Sequence, residues 1–158
     1  MTENLLAGKQ REPRFSGFAF CQRTSSIERY ASELYEKFDI RGAGTGAKAG
    51  SMSGGNMQKV VFAREMEADP TLLVAAQPTR GIDIGAIESI WTRIIQARDE
   101  GKAVLLVSAE LDEVLSLADR VLVMYEGQIM AELPREEATE TKVGVYMTGA
   151  KRKEENHA

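Results

Sequence analysis

Much is scarce in these 158 residues, and each scarcity removes a class of function. Cys21 is the single cysteine, so no internal disulfide can form, and a lone thiol fits a reducing compartment. His157 is the single histidine and lies in a charged tail. A Ser-His-Asp triad or a His-rich metal site in the folded part is thereby excluded. No apolar run approaches the ~20 residues needed to cross a bilayer. The polar, acidic start Met1-Thr2-Glu3-Asn4 has no signal-peptide pattern. Basic excess is missing too: the net charge is −4, which gives no electrostatic basis for binding nucleic acid. What remains, 43% hydrophobic and 28% charged residues, reads as one globular domain long enough to bury a core.

Along the chain, residues 1–24 read as a short helix and then loop, with Phe15, Phe18 and Phe20 as local packing in preference to a docking surface. Ser25-Ser26-Ile27-Glu28 reads as a capping box opening a helix to about Phe38, with Ile27, Tyr30, Ala31, Leu34 and Phe38 on one face. Residues 41–50 are a glycine-rich loop. A helix is expected from residue 53 to about Ala68, with Met57, Val60, Val61 and Arg64 at helical spacing, stopped by Pro70. Leu72–Ala76 and Lys102–Val107 read as buried parallel strands around a helix from about Gly85 to Arg98. That helix turns Ile87, Ile90, Trp91, Ile94 and Ile95 inward. Ser108 is a candidate cap for an acidic-first helix. Val121–Tyr125 is a third strand, turned by Glu126-Gly127 into residues 128–133. A weak helix is expected over 135–147, and Lys151–Glu155 is a solvated tail. The alternation predicts an α/β fold with a parallel sheet flanked by helices.

The most informative segment is Ser51-Met52-Ser53-Gly54-Gly55-Asn56-Met57-Gln58-Lys59. A small-residue turn opens a helix, whose first N–H groups lack partners and carry the positive end of the dipole. Glycine lets a bound oxyanion come close, so the spot suits a phosphate. Ser-Gly-Gly alone is a common loop tripeptide; its context gives it weight.

Residues 52–59 resemble the signature motif of ATP-binding cassette (ABC) ATPases. Leu72–Thr79 resembles the Walker B strand and the Pro-Thr after it, and Arg80-Gly81-Ile82-Asp83 the D-loop. Lys102–Ala109 is similar to the strand ending in the H-switch, and Asp119–Ile129 to the final hairpin. Asn-x-Gln-Lys and Pro-Thr-Arg-Gly-Ile-Asp look closest to the second cassette of double-cassette importers for simple sugars and nucleosides. Glu3-Asn4-Leu5-Leu6 resembles the stretch after the Q-loop. The resemblance implies a partial P-loop NTPase (RecA-like) core with part of the helical subdomain. The expected divisions are a helical portion over 1–60, a core portion over 61–135, and a C-terminal helix and tail over 136–158.

The departures are as telling. No Gly-x-x-x-x-Gly-Lys-Ser/Thr occurs, so the chain is expected to be truncated before its signature motif. Gly42-Ala43-Gly44-Thr45-Gly46-Ala47-Lys48 invites comparison, but its lysine follows alanine and precedes another, with no hydroxyl residue for Mg²⁺. The Walker B aspartate position holds Ala76, the catalytic glutamate position Gln77, and the switch histidine position Ala109. A methyl group cannot orient the water shell of Mg²⁺, and a carboxamide cannot accept a proton from the attacking water. Each such contact is worth roughly 10²–10⁴ in rate, so the chain alone is expected to be inactive.

The resemblance implies a site shared between two cassettes. Ser53, Gly54 and Gly55 would contact the γ-phosphate of ATP held in trans, with Mg²⁺ kept by the partner cassette. Asn56 and Gln58 would support the turn, and Asp83 would serve as the D-loop carboxylate; capping the next helix is compatible with that role. Thr79, Arg80 and Trp91 read as structural, and Met52 and Met57 as packing residues. Expected partners are a second cassette and transmembrane permease subunits, with no nucleic acid, at the cytoplasmic face of the inner membrane. The alternatives are a non-catalytic regulatory or docking module and, against the losses above, an independent ATPase. In related ATPases the phosphate-loop strand lies between those corresponding to 102–107 and 120–125. Without it these strands must pair directly, recruit another chain or leave exposed edges.

Overall fold

A computed structural model describes residues 1–18 and 21–149; Phe20, His157 and the charged tail lie outside them. The chain divides into two compact units, Met1–Leu73 with Pro78–Val104, and Val74–Gln77 with Leu105 onward.

The first unit holds four helices, α1 (Thr2–Leu6), α2 (Thr24–Lys37), α3 (Gly54–Met66) and α4 (Ile84–Asp99). The apolar face read from residues 27–38 is the one buried: Ile27, Tyr30, Ala31, Leu34 and Phe38 join Leu5, Leu6, Val60 and Ala63 in one core. Each aliphatic side chain so buried stabilises by about 1.5–3 kcal/mol. The capping box is not formed. Helix α2 starts at Thr24 after Arg23, with no side-chain cap. The preceding segment sets the entry point: Arg23 N–H bonds the Phe15 carbonyl at 2.8 Å and Ser16 pairs with Gln22. Ser25 therefore falls inside the first turn. Phe15 is 1% exposed and packs against Tyr30 with ring centroids 4.9 Å apart and the rings tilted, as expected of a packing residue, whereas Phe18 is 99% exposed.

Helix α3 also buries a face different from the one expected. Gly55, Lys59, Val60 and Ala63 face inward, while Met57 is 41% exposed and Val61 is exposed; Met52 is buried. Helix α4 buries Ala86, Ile90, Ilе94 and Ala97, with Ile87, Trp91 and Ile95 only half-buried.

Strands β1 (Leu72–Ala76) and β2 (Ala103–Val107) form a two-stranded sheet. Ala103 N–H bonds Thr71 O at its start and Gln77 N–H bonds Val107 O at its end, so the strands run parallel. They are not buried on both faces. Leu73 and Ala75 point inward, but Leu72, Val74, Leu105 and Val107 are exposed.

The second unit also contains α5 (Leu111–Leu117), β3 (Arg120–Tyr125), β4 (Gln128–Pro134) and α6 (Glu140–Met147). Strands β3 and β4 form an antiparallel hairpin with a register shift after Val123. Glu126 and Gly127 both have positive φ, the geometry of a two-residue turn that matches strand twist. Val121, Val123, Ala131 and Leu133 pack with Ala138 and Val143. Ser108 does not cap α5: Glu110 is the N-cap, and the Ser108 hydroxyl accepts from Glu110 N–H at 3.0 Å. Residues 135–137 form a separate 3₁₀ turn before α6, splitting the single helix expected there.

Among the described residues β2 and β3 are not paired, so direct pairing, the first of the three expected outcomes, is not found. The outer face of β3 exposes Leu122 and Met124 beside these edges. Exposed apolar edges template association. Light scattering of the purified chain is predicted to show mass rising with concentration, and Leu105→Lys to suppress the rise; a monodisperse monomer at high concentration contradicts this. In urea unfolding, Leu34→Ala is predicted to cost about 2–5 kcal/mol. Met57→Ala is predicted to stay within about 0.5 kcal/mol.

Candidate functional site: the start of helix α3

Six residues singled out by sequence, Ser53, Gly54, Gly55, Asn56, Gln58 and Asp83, come together in the first unit. Ser53 is the N-cap of α3, extended at φ −65° and ψ 156° and exposed. Its hydroxyl oxygen accepts from the Asn56 backbone N–H at 3.4 Å and from Asn56 Nδ2 at 2.9 Å. Gly54 and Gly55 are the next two residues, and no acceptor within the helix is available to their N–H groups.

The two glycines differ in burial, and the fold requires glycine at neither. Gly54 is exposed, has ordinary helical φ, and an added Cβ would meet only the Gly81 carbonyl at 3.6 Å. Neither backbone conformation nor packing requires glycine there. Gly55 is buried, and its Cβ would lie 3.4 Å from Asp83 Oδ2 and 3.5 Å from Ile82. These are ordinary van der Waals distances, so α3 packs against the turn at residues 79–83 without requiring glycine there.

That turn is fixed from both sides. Gln58 Nε2 donates to the Pro78 carbonyl at 2.6 Å, tying the second turn of α3 to it. Asp83 caps α4, its Oδ1 accepting from Ala86 N–H at 2.9 Å. Thr79 is buried in the turn, which fits a structural role.

A second set of bonds, absent from the sequence reading, holds α3 on its other side. Asn56 Oδ1 accepts from Arg41 N–H at 2.6 Å. Buried Lys59, one turn on, donates to the Asp39 carbonyl at 2.8 Å and to Asp39 Oδ2 at 3.1 Å. Arg41 Nε donates to Asp39 Oδ1 at 3.1 Å. The hydrogen bonds from Arg41 and then Lys59 hold the Asp39 carboxyl below the usual carboxylate range. A depressed carboxyl contributes above its unfolded pKa and loses that contribution as pH falls through the lower folded value. The network is therefore intact at neutral pH. A lysine on the buried face of an otherwise apolar helix turn was the one signal that could have revealed it.

In the second unit, Ala76 ends β1 and Gln77 follows at φ +50°, its N–H bonded to Val107 O at 2.7 Å. Ala109 follows β2. No group of three or more metal-ligating side chains forms among the described residues. A methyl group at residue 76 does not fit a site that holds Mg²⁺. The glycine loop at 42–48 follows α2, with its carbonyls taken up by the chain: Met1 N donates to Ala47 O, Thr2 Oγ1 to Thr45 O and Tyr35 Oη to Gly44 O. It has no strand before it, and only a three-residue 3₁₀ turn, Ala49–Ser51, directly after it. No helix of the described residues is long and apolar enough to cross a membrane.

The fold matches a solved dimeric ATP-binding cassette in a post-hydrolysis state with ADP and phosphate, at TM-score 0.62 and 22% identity, over 73% of this chain and 49% of that one. It is the P-loop NTPase cassette fold in part. By sequence the chain is 47% identical over 149 residues to the nucleoside import ATP-binding protein NupA of Lactococcus lactis subsp. cremoris, covering 94% of this chain and 29% of that protein. It is 48% identical over 141 residues to the glucose import ATP-binding protein TsgD13 of Haloferax volcanii, covering 88% of this chain and 26% of that one. No protein-family model matches. The chain belongs to the ABC family and is a partial cassette, spanning under a third of the length of these two relatives.

Glycine costs a helix up to about 1 kcal/mol against alanine. Gly54→Ala is therefore predicted to leave the fold intact and raise its stability by up to that amount. Asp83→Ala is predicted to lower it by about 1 kcal/mol through loss of the cap. Denaturant unfolding of the two variants checks both; a destabilised Gly54→Ala would mean the fold itself needs that glycine.

Proposed function

We propose that this chain is part of the ATP-binding subunit of an importer for nucleosides or simple sugars, and that it completes an ATP site whose phosphate loop lies in another cassette. The observation carrying this reading is the contrast between its two halves. The start of α3 presents an exposed hydroxyl and two N–H groups with no intrahelical acceptor, around a glycine the fold does not require. Meanwhile the positions that would orient Mg²⁺, accept a proton and reach the γ-phosphate hold Ala76, Gln77 and Ala109. A site that can bind a phosphate but not activate water makes sense beside a site that can.

In this reading Ser53, Gly54 and Gly55 contact the γ-phosphate of ATP bound in trans, and the helix dipole adds to their attraction. Asn56 and Gln58 hold the turn, Asp83 faces the partner cassette as the D-loop carboxylate, and the partner holds Mg²⁺. The solved relative in fold is dimeric and bound to ADP and phosphate, which supports a paired arrangement. Residues 1–60 act as part of the helical subdomain, with residues 1–24 facing transmembrane permease subunits, residues 61–135 as part of the core, and 136–158 as the C-terminal helix and tail. The assembly sits on the cytoplasmic face of the inner membrane.

The test is to titrate the chain into a separately purified first cassette and measure ATP hydrolysis. The rate is predicted to rise, since lost oxyanion-type donors typically cost roughly 10²–10³-fold. Ser53→Arg is predicted to abolish the rise. Association without a rise would favour the docking-module reading instead. A rise that Ser53→Arg leaves intact would place the contact elsewhere.

A further inference from the structure

Resting on that reading, we infer that Asn56 is a positioning residue that reserves the Ser53 hydroxyl hydrogen for an acceptor outside the chain, the phosphate of the trans nucleotide. A serine hydroxyl has one hydrogen to give and two lone pairs to accept with. In this chain both accepting positions are occupied by Asn56, through its backbone N–H at 3.4 Å and its side-chain Nδ2 at 2.9 Å. The one remaining function of that hydroxyl is to donate, and it is exposed.

The orientation of the Asn56 amide is not free. Arg41 N–H, 2.6 Å away, can only donate, so the atom facing it must be Oδ1, and Nδ2 must face Ser53. Arg41 is in turn held through Asp39, which Lys59 anchors from the buried face of α3. The polarity of the chain of bonds therefore runs one way: Arg41 N–H gives to Asn56, Asn56 gives to Ser53, and Ser53 gives outward. Phosphate oxygens only accept, so the arrangement matches a phosphate and mismatches a ligand that must donate.

Asn56→Asp tests the polarity with almost no change of shape. The new carboxylate still accepts from Arg41 N–H but can no longer donate to Ser53, whose hydroxyl turns to give its hydrogen to the carboxylate instead. An acid in the first turn of a helix is favourable, so the variant is expected to keep its fold, and its melting curve checks this. The added negative charge also repels a phosphate, and a double-mutant cycle with Ser53→Ala separates that effect. In the two-cassette hydrolysis assay, Ser53→Ala is predicted to reduce stimulation by roughly 10- to 100-fold, the range of a charge-assisted hydrogen bond. Asn56→Asp is predicted to lose at least as much. The double variant is predicted to fall short of the product of the two losses by roughly tenfold or more, because the same hydrogen bond is removed twice. Asn56→Asp that stimulates like wild type, or losses that multiply independently, would overturn the positioning role alone. A wild-type chain that fails to stimulate at all would overturn the half-site reading and this role with it.

Discussion

A helix cannot satisfy its own first N–H groups, and the organisation of this chain depends on how that constraint is met at the start of α3. Ser53, Asp83 and Thr139 cap α3, α4 and α6 alike, each accepting from the N–H three residues on. At α3 the two N–H groups left over belong to glycines, Gly54 and Gly55, which carry no side chain beside them. Glycine at residue 54 gives up helix stability without any steric return inside the fold. In the proposed reading that loss leaves room for a phosphate to come close.

Around this opening the structure is tightly specified. Gln58 ties α3 to the turn at 78–83, and Gly55 packs against it. Asn56 and Lys59 fasten it to residues 39–41. Two independent sets of bonds thus fix one short stretch of helix, which is what a contact site on a rigid element requires. The contrast with β1 and β2 is sharp. A parallel pair is ordinarily covered on both faces, yet these strands expose alternate apolar side chains. The solved cassette that this chain resembles in fold is about twice as long as the part this chain matches.

Legibility in the sequence followed the range of the interaction involved. Strand β1 and the buried face of α2 were readable to the residue, because apolar periodicity is local. The start of α3 was readable because N-cap chemistry spans four residues. Helix entry at Thr24 was misread because Ser25 has the right chemistry, but a distant bond between Arg23 and Phe15 sets the entry point. The inward face of α3 was misread because Lys59 occupies a position that periodicity assigns to an apolar residue. Its ammonium is tolerable there only through Asp39, twenty residues away, and no local pattern encodes that pairing. The strands were expected to be buried because Leu-Leu-Val-Ala-Ala has the composition of a covered strand. Composition specifies what a strand is built to face, and the covering elements have to be present for the burial to appear.

In the proposed half-site the N–H groups of Gly54 and Gly55 meet a phosphate brought by another cassette. The most direct measurement is of their amide resonances in the labelled chain, recorded with ATP alone, with a hydrolysis-deficient first cassette alone, and with both. Downfield shifts at Gly54 and Gly55 are predicted only when cassette and ATP are present together. Shifts of the same size with either component alone, or none with both, would contradict it.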